Sequence, residues 1–170
     1  MMNTDTPPYE DTGIPPDPTV LRVGKSIRPR RTDMPRKVSN IREAGPDHQV
    51  VTVEGAHKGY RKEPCGGCPW RMDRTGDFPA SAFEHSAQTA YDMAIPVFAC
   101  HESGVNGGHT CAGFLLRGAD HNLSVRLGYM NGTYRPDVTD GGIELHDSYR
   151  AMAIANGVDP DAQSLAQCRP

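Results

Sequence analysis

The 170-residue sequence predicts a small α+β domain, largely irregular, organised around a cluster of cysteines and preceded by a disordered N-terminal arm. Three observations carry that expectation. Apolar residues make up only 36% of the chain, so only part of it can bury a core. Eight of the 15 prolines fall in residues 1–46, where they leave no room for a regular helix. Four of the five cysteines lie between positions 65 and 111, and a small domain commonly offsets a thin core with a metal or with disulfides. The chain divides accordingly into an arm (1–46), a four-cysteine domain (47–128), and a turn, helix and tail (129–170).

The arm is charged in blocks. Residues 1–20 hold Asp5, Glu10, Asp11 and Asp17 with no Lys or Arg. Residues 21–42 hold Arg22, Lys25, Arg28, Arg30, Arg31, Arg36, Lys37 and Arg42 against Asp33 alone. Clustered arginines neutralise phosphates and release counterions, so this basic segment is a candidate nucleic-acid contact. No aromatic is interleaved to stack on bases, which favours a solvated tail. No stretch approaches the ~18 apolar residues of a membrane span, so no membrane partner is expected. The first 20 residues lack the basic and apolar regions of a signal peptide. A cytoplasmic location follows as an expectation, and there spaced thiols serve more often as metal ligands than as structural disulfides.

Val50-Val51-Thr52-Val53 is a β-branched run and reads as a strand. Gly55 and Gly59 bracket a turn through His57 and Lys58, and Asp73 to Asp77 form a second, polar turn. Ser81 with Glu84 has the form of a capping box opening a helix, with Phe83, Ala87, Ala90 and Tyr91 on one face. Pro96 marks where that helix has ended. Val97 to Cys100 reads as a short strand, followed by a glycine-rich loop from Ser103 to His109. Thr110 is then the expected cap of a helix from Cys111 to Leu116, which places a thiol at the positive end of a helix. Leu123, Val125 and Leu127 mark an apolar element, strand or helix. Turns at Asn131-Gly132 and Asp140-Gly142 lead to a last helix over Ile143 to Asn156, stopped by Gly157. Cys168, in a polar tail, reads as a free thiol.

Cys65 and Cys68 have two residues between them, and Gly66-Gly67 lets the backbone wrap so that amides point at sulfur. Cys100 and Cys111 have ten between them, a gap the fold must close. Together they make a candidate four-thiolate site for a metal or cluster. The flanking glycines are poor core formers, which weighs against four simply buried thiols. Pro69 after Cys68 and the apolar neighbours Trp70, Phe98 and Phe114 suit an iron–sulfur cluster shielded from water. Zinc is the alternative and the commoner occupant of four-cysteine sites in small domains. His101 and His109 are candidate substitute ligands or outer supports.

Rival chemistries lack their partners. A zinc deaminase would add an upstream His-x-Glu or Cys-x-Glu to Pro64-Cys65-Gly66-Gly67-Cys68, and His48-Gln49-Val50 and His57-Lys58-Gly59 carry no such glutamate. A thioredoxin-type dithiol would enter a long helix, which Pro69 and the Asp73 turn oppose. Adjacent Cys100 and His101 on a strand point to opposite faces, so they make no nucleophile–base pair.

Pro64-Cys65-Gly66-Gly67-Cys68-Pro69-Trp70-Arg71, Pro96-Val97-Phe98-Ala99-Cys100-His101 and Cys111-Ala112-Gly113-Phe114-Leu115 together resemble an uncharacterised cysteine-rich domain family of actinobacteria and their phages. The resemblance spans about residues 60–128 and implies Cys65, Cys68, Cys100 and Cys111 as the common site. A looser analogy is with the WhiB-like regulators, which hold a four-cysteine iron–sulfur cluster and bind a sigma factor with a different cysteine spacing. The expected function is a metal-centred regulatory module that binds a protein or nucleic acid. The alternatives are a redox or metal-dependent enzyme working through His101, Glu102 or His109, and an assembly component whose arm wraps a neighbour.

Overall fold

In the computed structural model, residues 35–55 and 59–170 are described. The basic segment's Arg22, Lys25, Arg28, Arg30 and Arg31 lie outside them, as does the expected turn through His57 and Lys58.

The β-branched run forms strand β2 (Gln49–Glu54), which pairs antiparallel with β1 (Lys37–Glu43) from Lys37↔Glu54 to Glu43↔Gln49. Part of the expected arm is therefore a strand. Its polar sequence carries no alternation to announce it, and the backbone ladder supplied by β2 orders it. The register slips between Val38 and Asn40, where a bulge bends the strand. Side-chain bonds anchor this hairpin to α1 (Ala80–Ser86): Arg42 Nη1 donates to the His85 carbonyl at 3.0 Å, and Ser81 Oγ to that of Ala44 at 2.9 Å.

The expected capping is not seen. Ser81 lies inside α1, its hydroxyl taken by the hairpin, and the N-cap is Pro79, whose ring has no side-chain acceptor to offer. The helix tightens into a 3-10 turn at Ala87–Ala90 and ends before Pro96 as the sequence predicts. Phe83 and Ala87 are buried on the expected face.

Strand β3 (Gly59–Tyr60) pairs parallel with β4 (His109–Thr110), while Ala99 bridges Thr110 from the other side. Val97 to Cys100 is thus an extended segment with a single bridge rather than a strand. Thr110 does not cap a helix. It is fully buried in β4, its Oγ1 3.0 Å from the Tyr134 hydroxyl, and Cys111 occupies the N-cap of the following helix. The glycine-rich stretch between Cys100 and Cys111 folds into a 3-10 turn (His101–Ser103) and α2 (Gly104–Gly107) before reaching β4. Arg36 closes over it, donating from Nη2 to the Val105 carbonyl at 2.8 Å.

Helices α3 (Ala112–Arg117), α4 (Leu123–Met130) and α5 (Tyr149–Ala155) complete the domain. Leu123, Val125 and Leu127 therefore belong to a helix, capped by Asn122, whose side chain accepts from Val125 N–H at 3.0 Å. The last helix starts at Ser148, not Ile143: the Ser148 hydroxyl accepts from Ala151 N–H, and Leu145 instead bridges Arg71 in extended backbone.

Trp70, Phe114, Tyr149, Met152 and Leu165 form the heart of the core. The rings of Trp70, Phe98, Phe114 and Tyr149 meet at centroid distances of 5.9–6.4 Å, in tilted and edge-to-face arrangements favoured by ring quadrupoles. Cys168, a free thiol as expected, is buried and belongs to this core despite its polar surroundings in the sequence. Its residue bridges Tyr91 and its thiol faces the Ala87 carbonyl at 3.8 Å. Among the described residues no helix is long and apolar enough to cross a membrane.

Candidate metal centre

The tight pair sits in a turn: Cys68 N–H donates to the Cys65 carbonyl at 3.1 Å, and Arg71 N–H to that of Cys68 at 3.1 Å. The second pair is delivered by the small β assembly. Cys100 N–H donates to the His109 carbonyl at 2.8 Å, and Cys111 N–H to that of Phe98 at 2.9 Å. This ladder closes the ten-residue gap that the sequence left open. All four thiols are buried, at 8% exposure for Cys65, 0% for Cys68, 3% for Cys100 and 2% for Cys111.

The sulfurs meet across the two pairs. Cys65 Sγ is 3.7 Å from Cys100 Sγ, and Cys68 Sγ is 3.6 Å from Cys111 Sγ. Cys65 and Cys68 share one turn, so the thiols follow one another in a row, Cys100, Cys65, Cys68, Cys111. All five cysteines of the chain are free.

Crowding suppresses ionisation here. The Cys68 thiol is pushed up to about 12, first by its hydrogen bond to Cys111 and then by burial and the neighbouring charge. Cys65 gains from its bond with Cys100, yet Cys68 and burial outweigh this and hold it at about 11. Cys100 is raised by its bond to Cys65 and by burial. Four thiolates this close repel unless a cation sits among them, and a bound divalent metal inverts that balance by deprotonating its ligands.

Two arginines border the row. Arg61 faces Cys100, Cys65 and Glu102, and its pKa is raised by them in that direction, Cys100 first. Arg71 reaches the Cys65 carbonyl from Nη1 at 3.5 Å while its Nε and Nη2 grip the Asp73 carboxylate at 2.8 and 2.6 Å. Sequence reasoning gave neither a role. The available signal was a basic residue close on each side of the Cys-x-x-Cys turn.

On the solvent side, His101 Nδ1 lies 4.0 Å from Cys65 Sγ. Glu102 Oε1 accepts from Gly67 N–H at 3.1 Å, which lowers its pKa, and its Oε2 pairs with Arg61 at 3.2 Å. Ligand atoms of Cys65, His101 and Glu102 all lie within 4.8 Å of one another, a group able to hold a metal ion. It is the one set among the described residues to meet that distance, so the four sulfurs form a row and not a closed tetrahedron. His109, the other candidate, stays outside this group: its ring lies toward Gly59 and Gly107.

Fold and site define a small mixed α/β domain with buried, clustered free thiols. The chain belongs to a family of unknown function (DUF6283), whose model matches residues 60–169. The match runs beyond the cysteines to take in α5 and the buried Cys168. No curated protein matches the chain, and no solved structure does.

Proposed function

We propose that the protein is a metal-binding module whose centre, held by Cys65, Cys68, Cys100 and Cys111, organises a surface for a protein partner. The carrying observation is the spacing of the sulfur couples, 3.7 and 3.6 Å. Zinc–thiolate bonds of about 2.3 Å at tetrahedral angles set two sulfurs about 3.8 Å apart. This spacing supports zinc, with the ends of the row drawn in around one ion, over a [4Fe–4S] cube, which holds its thiolates further apart. The iron–sulfur reading drawn from Pro69 and the aromatic neighbours is the alternative, in which each couple binds one iron of a [2Fe–2S] cluster. The burial of all four thiols supports a structural centre, since catalytic sites keep an open position.

The basic residues preceding β1 would assist partner binding, and the free thiols fit a reducing, cytoplasmic setting. Anaerobic purification followed by elemental analysis and visible spectroscopy tests the reading. One zinc per chain in a colourless protein is the expected result. Two irons with two sulfides and a brown colour would assign the couples to the two irons of a [2Fe–2S] cluster. A folded, metal-free protein that takes up neither would overturn the proposal.

A further inference from the structure

We propose that Cys65 serves two ligand sets, and that metal enters and leaves the four-cysteine centre through the outer one, formed by Cys65, His101 and Glu102. The inference rests on the reading of the four cysteines as a metal centre. Cys65 Sγ is 3.7 Å from Cys100 Sγ on its inner side and 4.0 Å from His101 Nδ1 on its outer side. It is the most exposed of the four thiols, and His101 and Glu102 are exposed beside it. Cys68 and Cys111 are less exposed than Cys65, at 0% and 2% against 8%, which makes the Cys65 side the accessible end of the centre. One thiolate, one imidazole nitrogen and one carboxylate make a standard donor set for zinc-like ions.

Zinc has no electronic preference for one geometry, and both it and its stand-in cobalt(II) can expand their coordination, so ligands can be exchanged one at a time. His101 Nδ1 and a Glu102 oxygen bind as the bonds to Cys68, Cys100 and Cys111 break, while the bond to Cys65 is kept. Water fills the fourth position, each released thiolate takes a proton from solvent, and no electron moves. Glu102 must first leave Arg61 and Gly67. The Arg61 pair is solvent-exposed, and such pairs contribute little, so the Gly67 N–H bond is the main contact holding the carboxylate back.

The test uses the full chain loaded anaerobically with cobalt(II) and mixed rapidly with a chromophoric chelator. In the His101→Ala/Glu102→Gln double variant, transfer to the chelator is expected to slow at least tenfold. Rates within twofold of the unsubstituted protein would overturn the exchange route. The thiolate-to-cobalt charge-transfer absorption before mixing is the second readout and is expected to report four thiolates in both proteins. A changed band in the variant would make His101 or Glu102 a ligand of the resident centre and also overturn the route. An unsubstituted protein that takes up no cobalt overturns the centre itself, a distinct failure. Should circular dichroism show the double variant unfolded, Glu102→Gln alone carries the kinetic test, because its amide oxygen still accepts from Gly67.

Discussion

Trp70 lies directly against Gly113: a Cβ at position 113 would come 2.5 Å from the Trp70 Cβ and 2.7 Å from its Cγ. The far end of the indole meets Gly118 in the same way, with Cη2 against the place where a Cβ would stand. Two glycines on α3 and its C-cap thus form a groove that admits the ring, and Trp70 is fully buried in it. The groove links the two cysteine pairs, since Trp70 follows Cys68 by two residues and Gly113 follows Cys111 by two.

Gly113→Ala overpacks this contact and is expected to cost about 1–3 kcal/mol in chemical denaturation. It should also weaken metal uptake, because a displaced α3 carries Cys111 with it. An unchanged denaturation midpoint would show that the groove can relax.

The four thiols should not be equivalent to the fifth. Serine at position 65, 68, 100 or 111 is expected to reduce bound metal at least tenfold in elemental analysis. Cys168→Ala should leave the stoichiometry intact while lowering stability by roughly 1 kcal/mol, since a buried sulfur is lost from the core. Loss of metal in Cys168→Ala would require a different ligand set.

Stripping the metal with a chelator under reducing conditions should lower the melting temperature by about 10 °C or more, since binding to a site absent from the unfolded chain is folding free energy. Calorimetry with and without restored zinc checks this. Equal melting temperatures would mean that the core of Trp70, Phe114 and Tyr149 holds the domain alone.

His146 gives a pH signature away from the centre. It is buried, its Nε2 3.1 Å from the Thr75 hydroxyl, and burial lowers its pKa. The unfolded chain therefore takes up a proton at the ordinary histidine value, about 6.5, before the folded protein does. Its contribution is complete above that value and is lost as pH falls through it toward the lower folded value. His146→Gln should flatten the stability profile between pH 7 and 5, read as the difference in denaturation midpoints. Parallel profiles would assign the acid limb elsewhere, with His101, shifted in the same direction, the next residue to replace.

Local signals were legible where one short stretch settles its own conformation. The Val50–Val53 run made a strand, and Pro96 lay beyond the end of its helix. They failed where a distant partner competes for a group. Ser81 looks like a helix cap by spacing, yet the Ala44 carbonyl, brought in by the hairpin, takes its hydroxyl. Thr110 looks like a cap, yet Tyr60 and Ala99 enclose it in a sheet. Leu145 has helical spacing with Tyr149, but a backbone bridge to Arg71 holds it extended.

The sequence by itself singled out Cys65, Cys68, Cys100 and Cys111, because tight Cys-x-x-Cys spacing and flanking glycines are local properties of a chain. It also named His101 and Glu102 as neighbours of interest. Which sulfur meets which was decided only in three dimensions. Sequence spacing pairs Cys65 with Cys68 and Cys100 with Cys111, whereas the short couples are Cys65 with Cys100 and Cys68 with Cys111. The reason is the ladder at Thr110. Hydrogen bonds from Cys100 N–H to His109 and from Cys111 N–H to Phe98 set the second pair across the first, and such long-range pairing leaves no mark on either strand alone.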